Sequence, residues 1–302
     1  MTIKKISALL ILSVLPLGVL TAQEEKDYLP KAGDWAIGID MQPVYQFFGN
    51  IANGSGTAAA TVNTLRKFGG EDAIGYTGAN NVTLMGKYML DNTTAIRFNV
   101  GVQKDKTHDF SYSQDDNERF INPLSEAKVE DVQHTNQALY SVAAGIEFRK
   151  GKNRIQGYYG GDLVYGIQKN SYKFEYGNAI TEINQTPSYT NYNAVVPGLM
   201  INPGYWTIGS ARITEYYRNN VLIGIAGKLG VEYFIVPKLA LGGEVSLLIN
   251  ETFTKARYTK SEGYNPTTAQ VETHTELEAP ADHAFHMGTQ DMGGKLFMII
   301  YF

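Results

Sequence analysis

Histidine is the residue type in this sequence that most often binds metals or transfers protons, and the chain has five. They are His108, His134, His274, His283 and His286. His283 and His286 stand near Asp282, Glu276 and Glu278 in the chain, and this group could hold a metal ion. The spacing is loose and matches no specific motif, so we interpret all five as solvated histidines of polar loops. No metal site is predicted.

Nucleophilic catalysis is the other chemistry to consider. A Ser/His or Asp/His set must be fixed on rigid elements, and none of the histidines falls clearly inside a predicted strand. The chain contains no cysteine, which excludes thiolate metal sites, cysteine nucleophiles and disulfides. We therefore expect no enzyme activity and no cofactor.

Charged residues recur at alternate positions of otherwise apolar segments. Nine of them are Asp40, Lys87, Arg97, Glu147, Asp162, Lys228, Glu232, Glu244 and Lys295. Alternation of this kind predicts β-strands with one apolar and one polar face. Eight such strands are predicted, at residues 35–47, 80–90, 93–105, 135–148, 154–170, 220–235, 238–256 and 291–302.

The gaps between these strands alternate in length, with 32, 2, 29, 5, 49, 2 and 34 residues. Ordinary domains have a median connection of about 4–6 residues and no reason to alternate. Barrels of the outer membrane do alternate, because their periplasmic turns are short and their outer loops long. We predict an all-β fold: a transmembrane antiparallel up-and-down β-barrel with eight strands and both termini on the periplasmic side.

The N-terminus has the features of an export signal. Lys4 and Lys5 precede an apolar run that ends at Leu20, and Ala22 marks the expected cleavage site. We predict a signal peptide at 1–22 and the barrel domain at 23–302. Because the remainder has no apolar run long enough for a spanning helix, it must enter the outer membrane as strands. Residues 23–302 carry 24 Lys and Arg against 30 Asp and Glu, which argues against a nucleic-acid partner.

Aromatic residues on the apolar faces sort to the two ends of the predicted strands. At the periplasmic end they are Trp35, Tyr88, Phe148, Tyr233 and Phe302, and at the outer end Tyr45, Phe47, Tyr140, Tyr165 and Phe253. Two aromatic girdles are typical of a barrel whose partner is membrane lipid.

The nine charges are predicted to face the lumen, as five acids and four bases. An eight-stranded barrel is just wide enough inside for side chains to fill it, and buried charges must pair or cost several kcal/mol each. We favour an ion-pair plug that closes the lumen. A narrow porin-like conduit for ions or small solutes is the alternative.

The gap at 171–219 is rich in aromatic rings. They are Tyr172, Phe174, Tyr176, Tyr189, Tyr192, Tyr205, Trp206, Tyr216 and Tyr217. We expect them to pack against one another and order the loop, and the alternative is a contact surface for an extracellular ligand. A weak alternation over 205–218, with a short segment at 193–201, leaves ten strands as a second possibility, although Pro197 counts against it.

Four segments resemble the small OmpA-like outer-membrane barrels common among Bacteroidota. They are Gly230-Val-Glu-Tyr-Phe234, Pro237-Lys-Leu239, Leu241-Gly-Gly-Glu244 and the terminal run from Gly294 to Phe302. The resemblance covers nearly all of 23–302. It implies a cell-envelope protein placed by the barrel-insertion machinery, with Phe302 ending the insertion signal, and it carries no catalytic residue.

Overall fold

The computed structural model describes residues 28–41, 82–192 and 210–302, and these form almost only β-strands. The strands are β1 (Trp35–Asp40), β2 (Val82–Met89), β3 (Thr94–Gln114), β4 (Lys128–Lys152), β5 (Ile155–Glu175), β6 (Arg212–Val236), β7 (Leu239–Thr254), β8 (Arg257–Asn265), β9 (Gln270–Ala279) and β10 (Asp282–Tyr301). A short helix, α1 (Asp116–Ile121), lies between β3 and β4. No helix within these ranges has both the length and the apolar character needed to cross a membrane. The predicted signal peptide and the end of the first predicted strand, residues 42–47, lie outside the described residues.

Eight of the strands close into a ring. From β1 to β7 each strand pairs antiparallel with the next, and β10 completes the ring by pairing with both β7 and β1. The closing ladder runs from Ala36 opposite Tyr301 to Asp40 opposite Phe297. A closed ring satisfies the backbone hydrogen bonds between strands, which a membrane interior requires. The fold is the predicted eight-stranded transmembrane antiparallel barrel.

Three short turns lie at one end of the ring, which we call the turn end; the opposite end is the loop end. The turns occupy residues 90–93, 153–154 and 237–238, and the start of β1 and the end of β10 lie beside them. Asn153 and Lys238 have positive φ angles of 59° and 64°. Positive φ is what tight hairpin turns demand, because it matches the turn to the twist of the flanking strands.

The prediction of long loops at 106–134 and 257–290 is wrong, because most of both segments is in strands. The ladder between β3 and β4 continues to Gln114 opposite Lys128, so it occupies most of 106–134. Residues 257–290 hold β8, β9 and the first part of β10. Beyond the lipid a strand can face water on both sides, so the apolar alternation that reveals it fades while its hydrogen bonds continue.

The ten-stranded alternative is not the arrangement found in the described residues. Residues 212–218 are the upper part of β6, which pairs there with β5 and β8. The hairpin of β8 and β9 lies at the loop end, where β8 pairs with the first residues of β6. It is not part of the eight-stranded ring. The possible strand at 193–201 lies outside the described residues.

The outward side chains of the ring form an apolar band. Examples that are 44–71% exposed are Ile37, Leu84, Phe98, Val142, Leu163, Ile225, Val245 and Ile300. On β3 the band ends at Val102, after which the outward positions are Lys104, Lys106 and His108. An outward apolar band above an inward polar face is the pattern of a barrel that sits in lipid.

Apolar side chains fill the turn end of the lumen. Met89, Ala95, Phe234, Ala240 and Ile299 have no exposed surface, and they belong to one cluster with other inward residues. Tyr28 and Leu29, from the segment before β1, pack against this cluster. The interior at this end of the described barrel is therefore occupied by packed apolar side chains.

Gly242 provides a test of this packing. It lies opposite Phe297 on β10, and a Cβ on Gly242 would stand 2.1 Å from Phe297 Cζ. A Cβ on the outward neighbour Gly243 would meet nothing nearer than Leu296 Cδ2 at 3.5 Å. We expect Gly242→Ala to lower the free energy of unfolding by about 1–3 kcal/mol, since the buried ring must move. Gly243→Ala should change it by less than about 0.5 kcal/mol. Urea unfolding in lipid vesicles measures both, and equal losses would contradict the packing.

Candidate functional site

Charged side chains from every strand of the ring face the lumen, because each strand alternates between its two faces. They are Asp40 on β1, Lys87 on β2, Arg97 on β3, Glu147 and Arg149 on β4, Asp162 on β5, Lys228 and Glu232 on β6, Glu244 on β7 and Lys295 on β10. We call these ten residues and the hydroxyl groups that bind them the lumen network. Five cations stand against five carboxylates, so the charges balance.

The part of the lumen network nearest the turn end is built around two carboxylates without exposed surface, Glu147 and Glu232. Lys87 Nζ lies 3.0 Å from Glu147 Oε1 and 2.7 Å from Glu232 Oε1. Arg149 also pairs with both, at 2.7 Å from Glu147 Oε1 and in close contact with Glu232 Oε2. The Tyr301 hydroxyl donates to Glu232 Oε2 at 2.8 Å. Lys87 and Arg149 are therefore cationic partners of both carboxylates.

The second part of the lumen network lies farther from the turns and is centred on Arg97. This guanidinium contacts Glu244 Oε2 at 2.8 Å and Asp162 Oδ1 at 3.4 Å. Lys228 Nζ lies 2.6 Å from Asp162 and 3.3 Å from Glu244. Arg97 also contacts Glu147 Oε2 at 3.1 Å, which joins the two parts into one set.

Tyr158 and Asn99 add hydrogen bonds to this second part. The Tyr158 hydroxyl donates to Glu244 Oε2 at 2.7 Å, and Asn99 Nδ2 donates to Asp162 Oδ2 at 3.3 Å. Lys87 Nζ lies 4.4 Å from the centre of the Tyr158 ring, a cation–π contact. The ring of Tyr158 thus lies between the two parts and contacts both.

Lys295 on the last strand finds its partner in Glu244, whose Oε1 lies 3.5 Å from Nζ. Asp40 on β1 is half-buried and close enough to attract Lys295 electrostatically. The structure thus places all nine sequence-predicted charges on the lumen side of the ring. Eight of them join through direct ion pairs.

Arg149 is the member that the sequence reading missed. The sequence predicts that the strand ends at residue 148 and that a five-residue gap follows, but β4 continues to Lys152. The signal was present in the sequence, because Glu147, Phe148 and Arg149 continue the alternation of inward and outward positions. Tyr158 and Tyr301 donate to Glu244 and Glu232 through contacts across the barrel, which the sequence does not reveal.

The predicted periplasmic girdle residues lie on the outer surface at the turn end. Trp35, Phe148, Tyr233 and Phe302 are 42–62% exposed, and the Tyr88 ring contacts that of Trp35 with centroids 4.7 Å apart. At the outer level Tyr140, Tyr165 and Phe253 are also exposed. Tyr45 and Phe47 lie outside the described residues.

The interpretation of the histidines as loop residues is wrong. His108 is on β3, His134 on β4, His274 on β9, and His283 and His286 are on β10. His283 Nδ1 lies 2.8 Å from Glu251 on the adjacent strand. Across the described ranges no group of three or more His, Asp and Glu side chains is arranged to hold a metal ion.

Aromatic rings of the predicted gap at 171–219, several of which lie on the ends of β5 and β6, pack together at the loop end, as the favoured interpretation predicts. Phe174, Tyr192, Ile213 and Tyr216 form a buried cluster, with Tyr172 and Tyr176 against it. Tyr205 and Trp206 lie outside the described residues, and Tyr217 is exposed.

Arg212 and two aspartates anchor the same loop. Arg212 pairs with Glu262 at 2.7 Å, donates to the Asn178 carbonyl at 2.8 Å and lies 4.2 Å from the centre of the Tyr176 ring. Asp131 accepts from the amides of residues 177 and 190 at 2.9 and 2.6 Å. Asp116 of α1 accepts from Asn184 Nδ2 and from the amide of residue 188. The described part of the loop, residues 176–192, is therefore tied to β4, β6 and α1.

No protein-family model matches this chain, and no curated protein matches it. Among solved structures, the outer membrane protein OprG from Pseudomonas aeruginosa is similar over 92% of this chain and 99% of that chain. The sequence identity is 10% and the TM-score 0.36. So remote a likeness assigns neither a family nor a function, and the description of this chain as a barrel rests on its own strand pairings.

Removing one member of the lumen network should be costly. Glu232→Gln leaves Lys87 and Arg149 with one carboxylate between them, in a site without exposed surface. We expect the free energy of unfolding to fall by about 3–5 kcal/mol, as for broken buried pairs. The control is Lys173→Gln, which breaks an exposed pair with Glu175 and should cost less than about 1 kcal/mol. Urea unfolding measures both variants. Similar losses of unfolding free energy in the two would contradict a stabilising role of the lumen network.

Asp116 should make the loop anchoring depend on pH. Partial burial alone would raise the pKa of Asp116, but hydrogen bonds from Asn184 and Ser188 hold it below its ordinary value of 3.8. A depressed folded pKa contributes stability above the ordinary value, and this stability is lost as the pH falls through the folded pKa. We expect the amides of 184–190 to exchange hydrogen faster, relative to their intrinsic rates, once the pH drops below about 3.8.

Two variants isolate this effect. Asp116→Asn should remove most of the pH dependence of exchange in 184–190. Glu118→Gln, on the same helix, should retain it. Identical pH profiles in Asp116→Asn and the unmodified protein would show that another group controls the loop.

Proposed function

We propose that this chain is an integral outer-membrane β-barrel protein with a closed lumen, in a structural and surface-interaction role. The observation that carries the proposal is the lumen network, a continuous set of buried ion pairs joining strands β2 to β7 and β10. Its central members Lys87, Arg97, Glu147 and Glu232 are at most 1% exposed. A water-filled passage at this level of the barrel would expose these side chains to solvent.

The apolar cluster at the turn end adds a second barrier below the lumen network. Phe234, Met89 and Ile299 occupy the interior there without exposed surface. An ion that crossed the barrel would need to displace both the paired charges and this packed layer. Two barriers of different chemistry in series support closure more strongly than either one alone.

Placement in the outer membrane is supported by the apolar band, by the two levels of exposed aromatic rings and by the predicted export signal at 1–22. In this setting the turn end faces the periplasm and the loop end the exterior. The residues Trp35, Tyr88, Phe148, Tyr233 and Phe302 then form the periplasmic girdle in contact with lipid. The finer assignment, an OmpA-like protein of Bacteroidota type placed by the barrel-insertion machinery, rests on the sequence resemblance.

In this proposal, surface interactions are made by the parts of the strands and the loop that extend beyond the apolar band at the loop end. The anchoring of residues 176–192 by Arg212, Asp131 and Asp116 supports a surface in this part of the chain that can present side chains in fixed positions. Contact with an extracellular ligand would take place there. The proposal includes no catalytic role, no cofactor and no nucleic-acid partner.

A narrow channel for ions or small solutes is the second candidate. It is favoured by uncharged polar residues that also face inward, among them Asn99, Ser141, Ser246 and Asn250, all of which are buried. In this reading the lumen network would rearrange to pass ions.

Conductance in planar lipid bilayers distinguishes the two candidates. We expect the unmodified protein to give no steady conductance, because paired charges and packed apolar groups fill the lumen. The double variant Arg97→Ala, Phe297→Ala should conduct, since it removes one large side chain from each of the two barriers. The outward double variant Phe98→Ala, Ile300→Ala is the control and should stay closed. Steady conductance by the unmodified protein that changes with Lys228→Met would overturn the closed-lumen proposal in favour of the channel.

A further inference from the structure

Two histidines lie face to face on the outer surface beyond the apolar band. His108 on β3 is directly opposite His134 on β4, and their Nδ1 atoms are 2.7 Å apart. The rings meet edge to face with centroids 4.6 Å apart. Both occupy outward positions, and His108 is exposed, so an ion from solution can reach the pair.

The short distance requires a positive or polar bridge between the two nitrogens. Two imidazole lone pairs repel each other, so either a proton or a metal cation must lie between them. His134 Nε2 lies 3.5 Å from Glu175 Oε2, an ion-pair distance at which the two atoms form no hydrogen bond. The negative charge of Glu175 still favours the tautomer of His134 that carries its proton on Nε2. In that tautomer His134 Nδ1 presents a lone pair toward His108.

The carboxylate behind His134 is itself held in place. Lys173 Nζ donates to Glu175 Oε1 at 2.7 Å, and this hydrogen bond lowers the pKa of Glu175. A carboxylate that accepts from the distal nitrogen of a histidine is the usual outer partner of a metal-binding imidazole, since it fixes the tautomer and makes the ring more basic. Glu175 occupies this position behind His134 at the longer distance of 3.5 Å, with Lys173 on its far side.

We propose that His108 and His134 bind one divalent transition-metal ion of the Zn²⁺, Cu²⁺ and Ni²⁺ class through their Nδ1 atoms. Imidazole nitrogens are ligands that suit these ions. Two nitrogens each 2.0–2.1 Å from one ion are about 3 Å apart or slightly more, so a few tenths of an ångström of ring movement admits the ion. The site goes beyond the proposed structural role and does not depend on it.

The surroundings define what kind of site this is. No third His, Asp or Glu side chain completes a metal-binding group within the described ranges, so water fills the remaining positions. Phe110 and Val132 lie one pair farther from the membrane on the same face, and Lys106 and Asn136 one pair nearer. The positive charge of Lys106 opposes the ion, while that of Lys173 is offset by Glu175. An open, water-exposed site of this kind exchanges its ion with the medium.

The experiment uses the whole protein in detergent micelles, purified without a polyhistidine tag. Zn²⁺ is titrated calorimetrically at neutral pH, and Cu²⁺ is added for electron paramagnetic resonance, which counts the coordinated nitrogens. We expect one ion per chain and two nitrogens. Both His108→Ala and His134→Ala should lose this ion, and Glu175→Gln should bind about 10–100-fold more weakly. His283→Ala is the matched control, because His283 is also a strand residue beside a glutamate, and it should bind like the unmodified protein.

Several outcomes would overturn the site. They are no bound ion in the unmodified protein, unchanged binding in His108→Ala or His134→Ala, or loss of the ion in His283→Ala. Folding of each variant is checked by its heat-dependent mobility on gels, and His108→Asn and His134→Asn replace any alanine variant that does not fold. A purely structural pair would lower the unfolding temperature in these variants without any difference in metal binding.

Discussion

The pairing of Glu147 and Glu232 with Lys87 and Arg149 is the interaction on which the barrel depends. Moving an unpaired carboxylate from water into this interior costs several kcal/mol, so each acid needs its cationic partners. These partners are far apart in sequence and meet only if every strand keeps its register. A slip of one residue would turn a strand's charges toward the lipid and its apolar side chains inward. Ring closure, strand register and charge pairing therefore depend on one another.

The same constraint explains how much of the site the sequence could predict. Alternation assigns a face to each residue, which is why Lys87, Arg97 and Lys295 could be placed in the lumen from the sequence. It does not assign partners, because those depend on the stagger between strands around the ring. Lys295 could have met any of five acids, and only the folded ring brings it to Glu244. Arg149 was missed because the glycine and lysines that follow it resemble a turn.

Strand ends were predicted poorly for a different physical reason. Periodicity detects where one face contacts lipid, and it stops at the membrane surface even when the strand does not. On β3 the outward residues change from Val102 to Lys104, yet the ladder with β4 continues to Gln114. The predicted strand lengths therefore approximated the thickness of the apolar band. The hairpin of β8 and β9 lies wholly beyond the apolar band. Its sequence has no alternation of apolar residues from which the two strands could be predicted.

Extension of the ladders past the lipid also gives the loop end its rigidity. Surface loops usually move because few hydrogen bonds hold them. Here β3, β4, β5 and β6 continue as paired strands, so groups beyond the membrane are held by the same backbone bonds as those within it. His108 and His134 can face each other closely because their strands are in register at that level. The features that make the barrel stable in lipid thus create, a few residues higher, a surface precise enough to position two ligands for one ion.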